Sequence, residues 1–147
     1  MFTRRTLLAG AAAAAAAPLL PGRLFAAGPE AKILEAAAAR VQIAPEGYPQ
    51  TEIWGYGGAG PGTEIRARQG DRLRRRLGNS LEQPTTLHWH GIRIDNAMDG
   101  VPGLTQNAVK PGQDFLYDFA VPDAGTYWYH SHNRSMEQVA RGLAGPL

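Results

Sequence analysis

Two short stretches decide how this chain reads: Thr86-Leu87-His88-Trp89-His90-Gly91 and Gly125-Thr126-Tyr127-Trp128-Tyr129-His130-Ser131-His132. Each sets a His-x-His pair in a run of β-branched and aromatic residues, the composition of a strand. A strand turns successive side chains to opposite faces, so the two histidines of each pair point the same way, about 7 Å apart along the chain. Trp89 and Ser131 then point oppositely. If the two strands lie side by side at about 4.8 Å, the imidazoles merge into one patch. Such a patch is broader than one tetrahedral ion requires and suits ligands shared among several metals.

These pairs use all four histidines of the chain, and there is no cysteine. Disulfides, thiolate metal sites and cysteine nucleophiles are therefore excluded, and a copper or zinc ion has to be held by imidazole. Imidazole suits zinc, copper, iron and nickel alike, so the ligand type does not choose among them. A single zinc on three histidines, with a position open for water, stays an alternative. Against a zinc hydrolase, no carboxylate stands beside either pair to complete a His-x-His-x-Asp set.

Working outward, eighteen glycines and eleven prolines punctuate short apolar runs across 147 residues, which predicts one all-β domain with many turns. Ile53-Trp54-Gly55-Tyr56-Gly57-Gly58 reads as a short strand, and Thr63-Glu64-Ile65-Arg66-Ala67-Arg68 alternates apolar with polar. After a turn at Gln69-Gly70-Asp71 comes Arg72-Leu73-Arg74-Arg75-Arg76-Leu77. Its parity places Arg72, Arg74 and Arg76 on one face and Leu73 and Leu77 on the other, a solvated face on a half-buried strand. Arg75 falls on the leucine face and has to reach out to solvent or find a carboxylate such as Glu64 or Asp71. Further strands are expected at 85–90, 115–119 and 126–132. The Ala-rich segment around Glu30-Ala31-Lys32-Ile33-Leu34-Glu35-Ala36 has helical propensity but precedes turn-rich sequence, and its structure stays open.

Residues 1–27 have the anatomy of a cleaved signal peptide. Arg4-Arg5 is followed by Leu7-Leu8, an Ala-rich stretch to Leu20, and small residues at Ala26-Ala27-Gly28. The apolar stretch is shorter than the roughly 20 residues that span a bilayer, so no stable membrane span is expected after cleavage. The paired arginines resemble a twin-arginine leader, which implies a periplasmic or secreted protein. The formal charge of +2 is misleading on this account. Without Arg4, Arg5 and Arg23, the fifteen basic residues become twelve, against thirteen acidic ones. The remainder carries no electropositive footprint for phosphate, and nucleic acid is not an expected partner.

The two histidine motifs, the turn Met98-Asp99-Gly100-Val101-Pro102-Gly103-Leu104-Thr105-Gln106 between them, Trp54-Gly55-Tyr56, Arg68-Gln69-Gly70-Asp71 and the closing Gly142-Leu143-Ala144-Gly145-Pro146-Leu147 together resemble the N-terminal domain of multicopper oxidases, the laccase and bilirubin oxidase group. The resemblance runs from about residue 53 to the end. It implies a cupredoxin-like Greek-key β-sandwich over 28–147 that contributes four ligands to a trinuclear copper cluster reducing dioxygen to water. By position, His88 corresponds to a ligand of the type 2 copper, and His90, His130 and His132 to ligands of the type 3 pair. Asp99 corresponds to the acidic residue that orients water and relays protons near the cluster, while its alternative is a plain turn aspartate before glycine. Trp128 shares parity with His130 and His132 and is expected to wall the site, with Tyr127 and Tyr129 turned to the core.

The type 1 copper of that family sits on a cysteine thiolate, which this chain lacks, and the reaction also needs four further histidines. The expected partners are accordingly dioxygen and the missing type 1 copper domain or domains. Ending at Gly145-Pro146-Leu147, the domain is expected to lack its last strand and to be inactive alone. An exported copper-sequestering module without catalysis is the alternative reading.

Overall fold

A computed structural model of the chain describes residues 30–147. The expected leader, 1–27, lies outside the described residues.

The described chain is almost entirely β. Strands β1 (Lys32–Val41), β2 (Thr51–Tyr56), β3 (Arg72–Asn79) and β5 (Asp114–Ala120) form one sheet in the order β2-β1-β3-β5. Strands β4 (His88–His90), β6 (Trp128–His130) and β7 (Ala144–Pro146) form a second, in the order β4-β6-β7. A short 3₁₀ turn, Asn96–Met98, follows β4, and one helical turn, α1 (Ser135–Gln138), lies between β6 and β7. Both sheets are open, and the chain leaves the first for β4 and returns to it for β5.

The Ala-rich segment becomes β1, against its intrinsic helical preference. It pairs antiparallel with β2 on one side and parallel with β3 on the other, and it buries Leu34 and Ala36. Two ladders and an inward face outweigh a propensity of a few tenths of a kcal/mol per residue. The segment 63–68 fails in the opposite direction. Its alternation buries Ile65, yet it contributes only isolated hydrogen bonds to the β7 region, from Ile65 N–H to the Pro146 carbonyl and from neighbouring Gly62 N–H to Ala144. It is extended chain without a ladder.

β3 follows its parity. Leu73 and Leu77 are buried, while Arg72 and Arg74 pair with Asp118 and Arg76 pairs with Asp114, both aspartates on β5. Among the ion pairs of the described residues none involves Arg75. Neither Glu64 nor Asp71 partners it: Glu64 pairs with Arg66, and Asp71 accepts the N–H of Arg68. The half-buried Arg75 guanidinium donates instead to the Arg74 carbonyl, and burial lowers its pKa from the ordinary arginine value.

The core lies between the sheets. Trp89, fully buried on β4, packs edge-on against Tyr117 and Phe119 of β5, with ring centroids 5.6 and 5.1 Å apart. Tyr129 stands opposite Trp89 in the β4–β6 ladder and is also fully buried. Tyr127 is a correction to the expected core: it is only half-buried at the rim, where its hydroxyl donates to the Ala124 carbonyl. With Trp89 and Tyr129 turned inward, the histidines of the same strands are turned away from the core.

Candidate metal centre

β4 and β6 are direct antiparallel neighbours, with His88 opposite His130 and His90 opposite Trp128. His132 follows the end of β6, and its backbone N–H donates to Thr86 Oγ1 at 3.3 Å, which keeps it alongside the approach to β4. The His88 ring lies 5.6, 5.3 and 5.2 Å from those of His90, His130 and His132. Rings of His90 and His130 are 5.4 Å apart, and those of His130 and His132 are 6.2 Å apart. Thus the four side chains form one patch, as the alternation predicts once the strands are adjacent.

The ring nitrogens are differentiated by backbone carbonyls. His88 Nδ1–H donates to the Asp99 carbonyl at 2.7 Å, and His130 Nδ1–H donates to the Ser131 carbonyl at 2.9 Å. A carbonyl only accepts, so each bond sets the tautomer and leaves the Nε2 lone pair free, the usual preparation of a metal-binding imidazole. His90 Nδ1 lies 3.2 Å from His130 Nε2. Two ligands bonded at about 2.0 Å in tetrahedral geometry stand about 3.3 Å apart, so this spacing fits a shared ion. One ligand atom each from His88, His90 and His130 can be chosen so that all lie within 4.8 Å of one another. His130 is only 7% exposed, whereas His90 and His132 are exposed. Desolvation by burial, and secondarily the neighbouring His88, His90 and His132, lower the His130 pKa below the ordinary imidazole value. That keeps the ring neutral, the form that binds metal.

Asp99 sits at the end of the 3₁₀ turn, with a carboxylate oxygen 3.3 Å from His88 Nδ1. Its loop presses on the strand: a Cβ at Gly100, whose φ is +78°, would lie 1.9 Å from the Leu87 carbonyl oxygen. Only glycine permits that approach. Trp128 walls the patch as expected, stacked on His130 at 4.0 Å and 5.0 Å from His90.

Sequence reasoning missed what lies beneath. Gln138 is fully buried and accepts hydrogen bonds from Ser131 Oγ and, at 2.8 Å, from Thr85 Oγ1. It belongs to Asn133-Arg134-Ser135-Met136-Glu137-Gln138, a polar stretch with no period that marks one member as interior.

The sequence profile of multicopper oxidases matches residues 37–147. The chain belongs to the multicopper oxidase family. It is 47% identical over 87 residues to copper resistance protein A of Pseudomonas syringae pv. tomato, covering 59% of this chain and 14% of that relative. It is 41% identical over 112 residues to laccase-1 of Cryptococcus neoformans var. neoformans serotype D (strain B-3501A), covering 74% of this chain and 18% of the laccase. Among solved structures, Lac15 from a marine microbial metagenome superposes with a TM-score of 0.76 at 54% identity, over 80% of this chain and 32% of that one. A multicopper oxidase from Pseudomonas thermotolerans gives 0.75 at 50% identity, over 80% and 28%. The chain thus spans less than a third of the length of these multicopper oxidase relatives.

Family membership makes the sandwich cupredoxin-like and the cofactor copper, and a donor set of imidazole nitrogens without thiolate fits that ion. Among the described residues no helix is long and apolar enough to cross a membrane.

Proposed function

We propose that residues 28–147 are the N-terminal cupredoxin domain of an exported multicopper oxidase and supply four ligands of a trinuclear copper cluster that reduces dioxygen to water. In this reading His88 holds the type 2 copper, and His90, His130 and His132 hold the type 3 pair. The observation that carries it is the convergence of all four rings on one face of paired strands, with His88 and His130 bonded through Nδ1 to carbonyls. Bound copper would supply the electron transfer, four electrons and four protons converting one dioxygen to two waters.

The chain's own residues prepare that chemistry. The Asp99 carbonyl and the Ser131 carbonyl orient His88 and His130. The Asp99 carboxylate, partly exposed beside His88, would orient water and relay protons at the edge of the patch. Trp128 excludes water from one side of His90 and His130. A type 1 centre and four more histidines come from partner domains of the full-length polypeptide, since the chain has neither cysteine nor a fifth histidine. The leader motif at Arg4-Arg5 supports export to the periplasm or beyond.

The test is His90→Ala or His132→Ala in the full-length polypeptide. Oxygen consumption with a phenolic or metal-ion donor should be abolished while the type 1 blue absorption persists; unchanged turnover would defeat the assignment. A second reading, copper sequestration without catalysis, is favoured by the likeness to a protein named for copper resistance. It predicts copper uptake with no oxygen consumption even in the full-length polypeptide.

A further inference from the structure

Gln138 is more buried than any ligand it serves, and each end of its carboxamide is used. Oε1 accepts from Thr85 Oγ1 at 2.8 Å and from Ser131 Oγ, while Nε2 donates to the Pro84 carbonyl at 2.9 Å. Pro84 and Thr85 lead into the strand of His88 and His90, and Ser131 stands between His130 and His132. Thr85 Oγ1 and Ser131 Oγ are also within 3.2 Å of each other, and Ser131 Oγ accepts the Asn133 N–H at 3.2 Å. One buried side chain therefore ties the approach of one histidine strand to the exit of the other.

The tie reaches the imidazoles through Ser131. Its carbonyl receives His130 Nδ1–H at 2.9 Å, so any rotation of the Ser131 peptide turns the His130 ring and moves His132, the next residue. Among uncharged side chains, the amide of glutamine or asparagine accepts from two hydroxyls and donates to a carbonyl at once. A carboxylate there would lose the bond to the Pro84 carbonyl, which would be left to Asn133 Nδ2–H, and an apolar side chain would remove the buried acceptor that Thr85 Oγ1 and Ser131 Oγ share.

We infer that Gln138 is a positioning residue for the metal centre, acting through the Ser131 peptide to hold His130 and His132 in their binding orientation. This rests on the ligand assignment proposed above. The test uses the copper-loaded full-length polypeptide and the variants Ser131→Ala, Gln138→Met, their double mutant and His130→Ala. Copper release to a competing chelator and the electron paramagnetic resonance signal of bound Cu(II) are measured, with circular dichroism as a check on folding. Outer partners of metal ligands typically tune affinity 10- to 100-fold.

Gln138 stands one residue beyond such a partner, so Ser131→Ala and Gln138→Met should each speed release about tenfold and alter the signal. Because both break one link, the double variant should release copper no faster than the faster single one. Wild-type release and signal in Ser131→Ala and Gln138→Met, with copper lost from His130→Ala, would overturn the inference and leave the ligand assignment standing. An additive double variant would also overturn it. If His130→Ala keeps its copper, the ligand assignment falls and takes the inference with it. Should Gln138→Met not fold, Ser131→Ala, which deletes one oxygen, decides the matter alone.

Discussion

β3 in the larger sheet and the β4–β6 pair in the smaller one use the same device, a titratable side chain at every second position. On β3 the outward residues are Arg72, Arg74 and Arg76, each paired with Asp118 or Asp114 on the neighbouring strand. The three guanidinium groups share two carboxylates, so each of these charges already has a partner across the ladder. On β4 and β6 the outward residues are His88 and His130, which face each other, and His90, which faces Trp128, with Asp99 the carboxylate in reach of His88. His88 and His130 are bonded through Nδ1 to backbone carbonyls, which leaves Nε2 as the ligand atom. Identical periodicity thus makes an inert surface or a metal centre according to what the neighbouring strand presents.

That contrast can be broken at several points. The largest effect is expected where the two sheets meet. Trp89→Ala removes the fully buried ring packed on Tyr117 and Phe119, and should cost about 3–5 kcal/mol in denaturant or thermal unfolding. A cost below about 1 kcal/mol would mean that the sheets do not depend on this contact.

Gly100→Ala comes next. The new Cβ meets the Leu87 carbonyl at a backbone φ of +78°, and should cost about 1–3 kcal/mol while loosening the Asp99 bond to His88. Copper titration should show weakened binding along with the lower melting temperature.

Acid should act on the histidine sheet and spare the arginine one. Copper binds neutral imidazole, so lowering the pH from 7 to 5 should reduce affinity at least about tenfold in a competitive titration. For the metal-free fold the sign follows from His130, whose pKa is lowered by burial. The unfolded chain takes up that proton first, near pH 6.5, so its contribution to stability is complete above that pH. It is lost as pH falls from there toward the lower folded value. His130→Gln should flatten this part of the stability profile; an unchanged profile would assign it to other groups.

The smallest effect belongs to the arginine ladder. Arg76 and Asp114 are 45% and 53% exposed, so Arg76→Ala should cost no more than about 1 kcal/mol and leave copper binding unchanged. A loss of copper affinity here would show that the two sheets are coupled more tightly than their contacts suggest.

Much of this was legible in the residues. Alternation assigned Leu73 and Leu77 to the core, placed Trp128 beside His130, and put each histidine pair on one face, because side-chain direction in a strand is a local property. The same reasoning misplaced Tyr127, which lies at the rim beside the Gly125 turn, and expected more ladder from 63–68 than its edge position provides. It offered no answer for 32–41, where cross-strand partners overrule alanine's helical preference.

By itself, the sequence determined that the chain's metal chemistry must pass through imidazole, which faces the histidines share, and which family the motifs belong to. Only the tertiary structure decided that His88 stands opposite His130, that His130 is buried while His90 and His132 are exposed, and that Gln138 lies under both strands. The reason is physical. Facing direction is set by each residue's own backbone, whereas register, burial and a shared hydrogen-bond partner arise only when segments some forty residues apart close on one another, as Thr85 and Ser131 do.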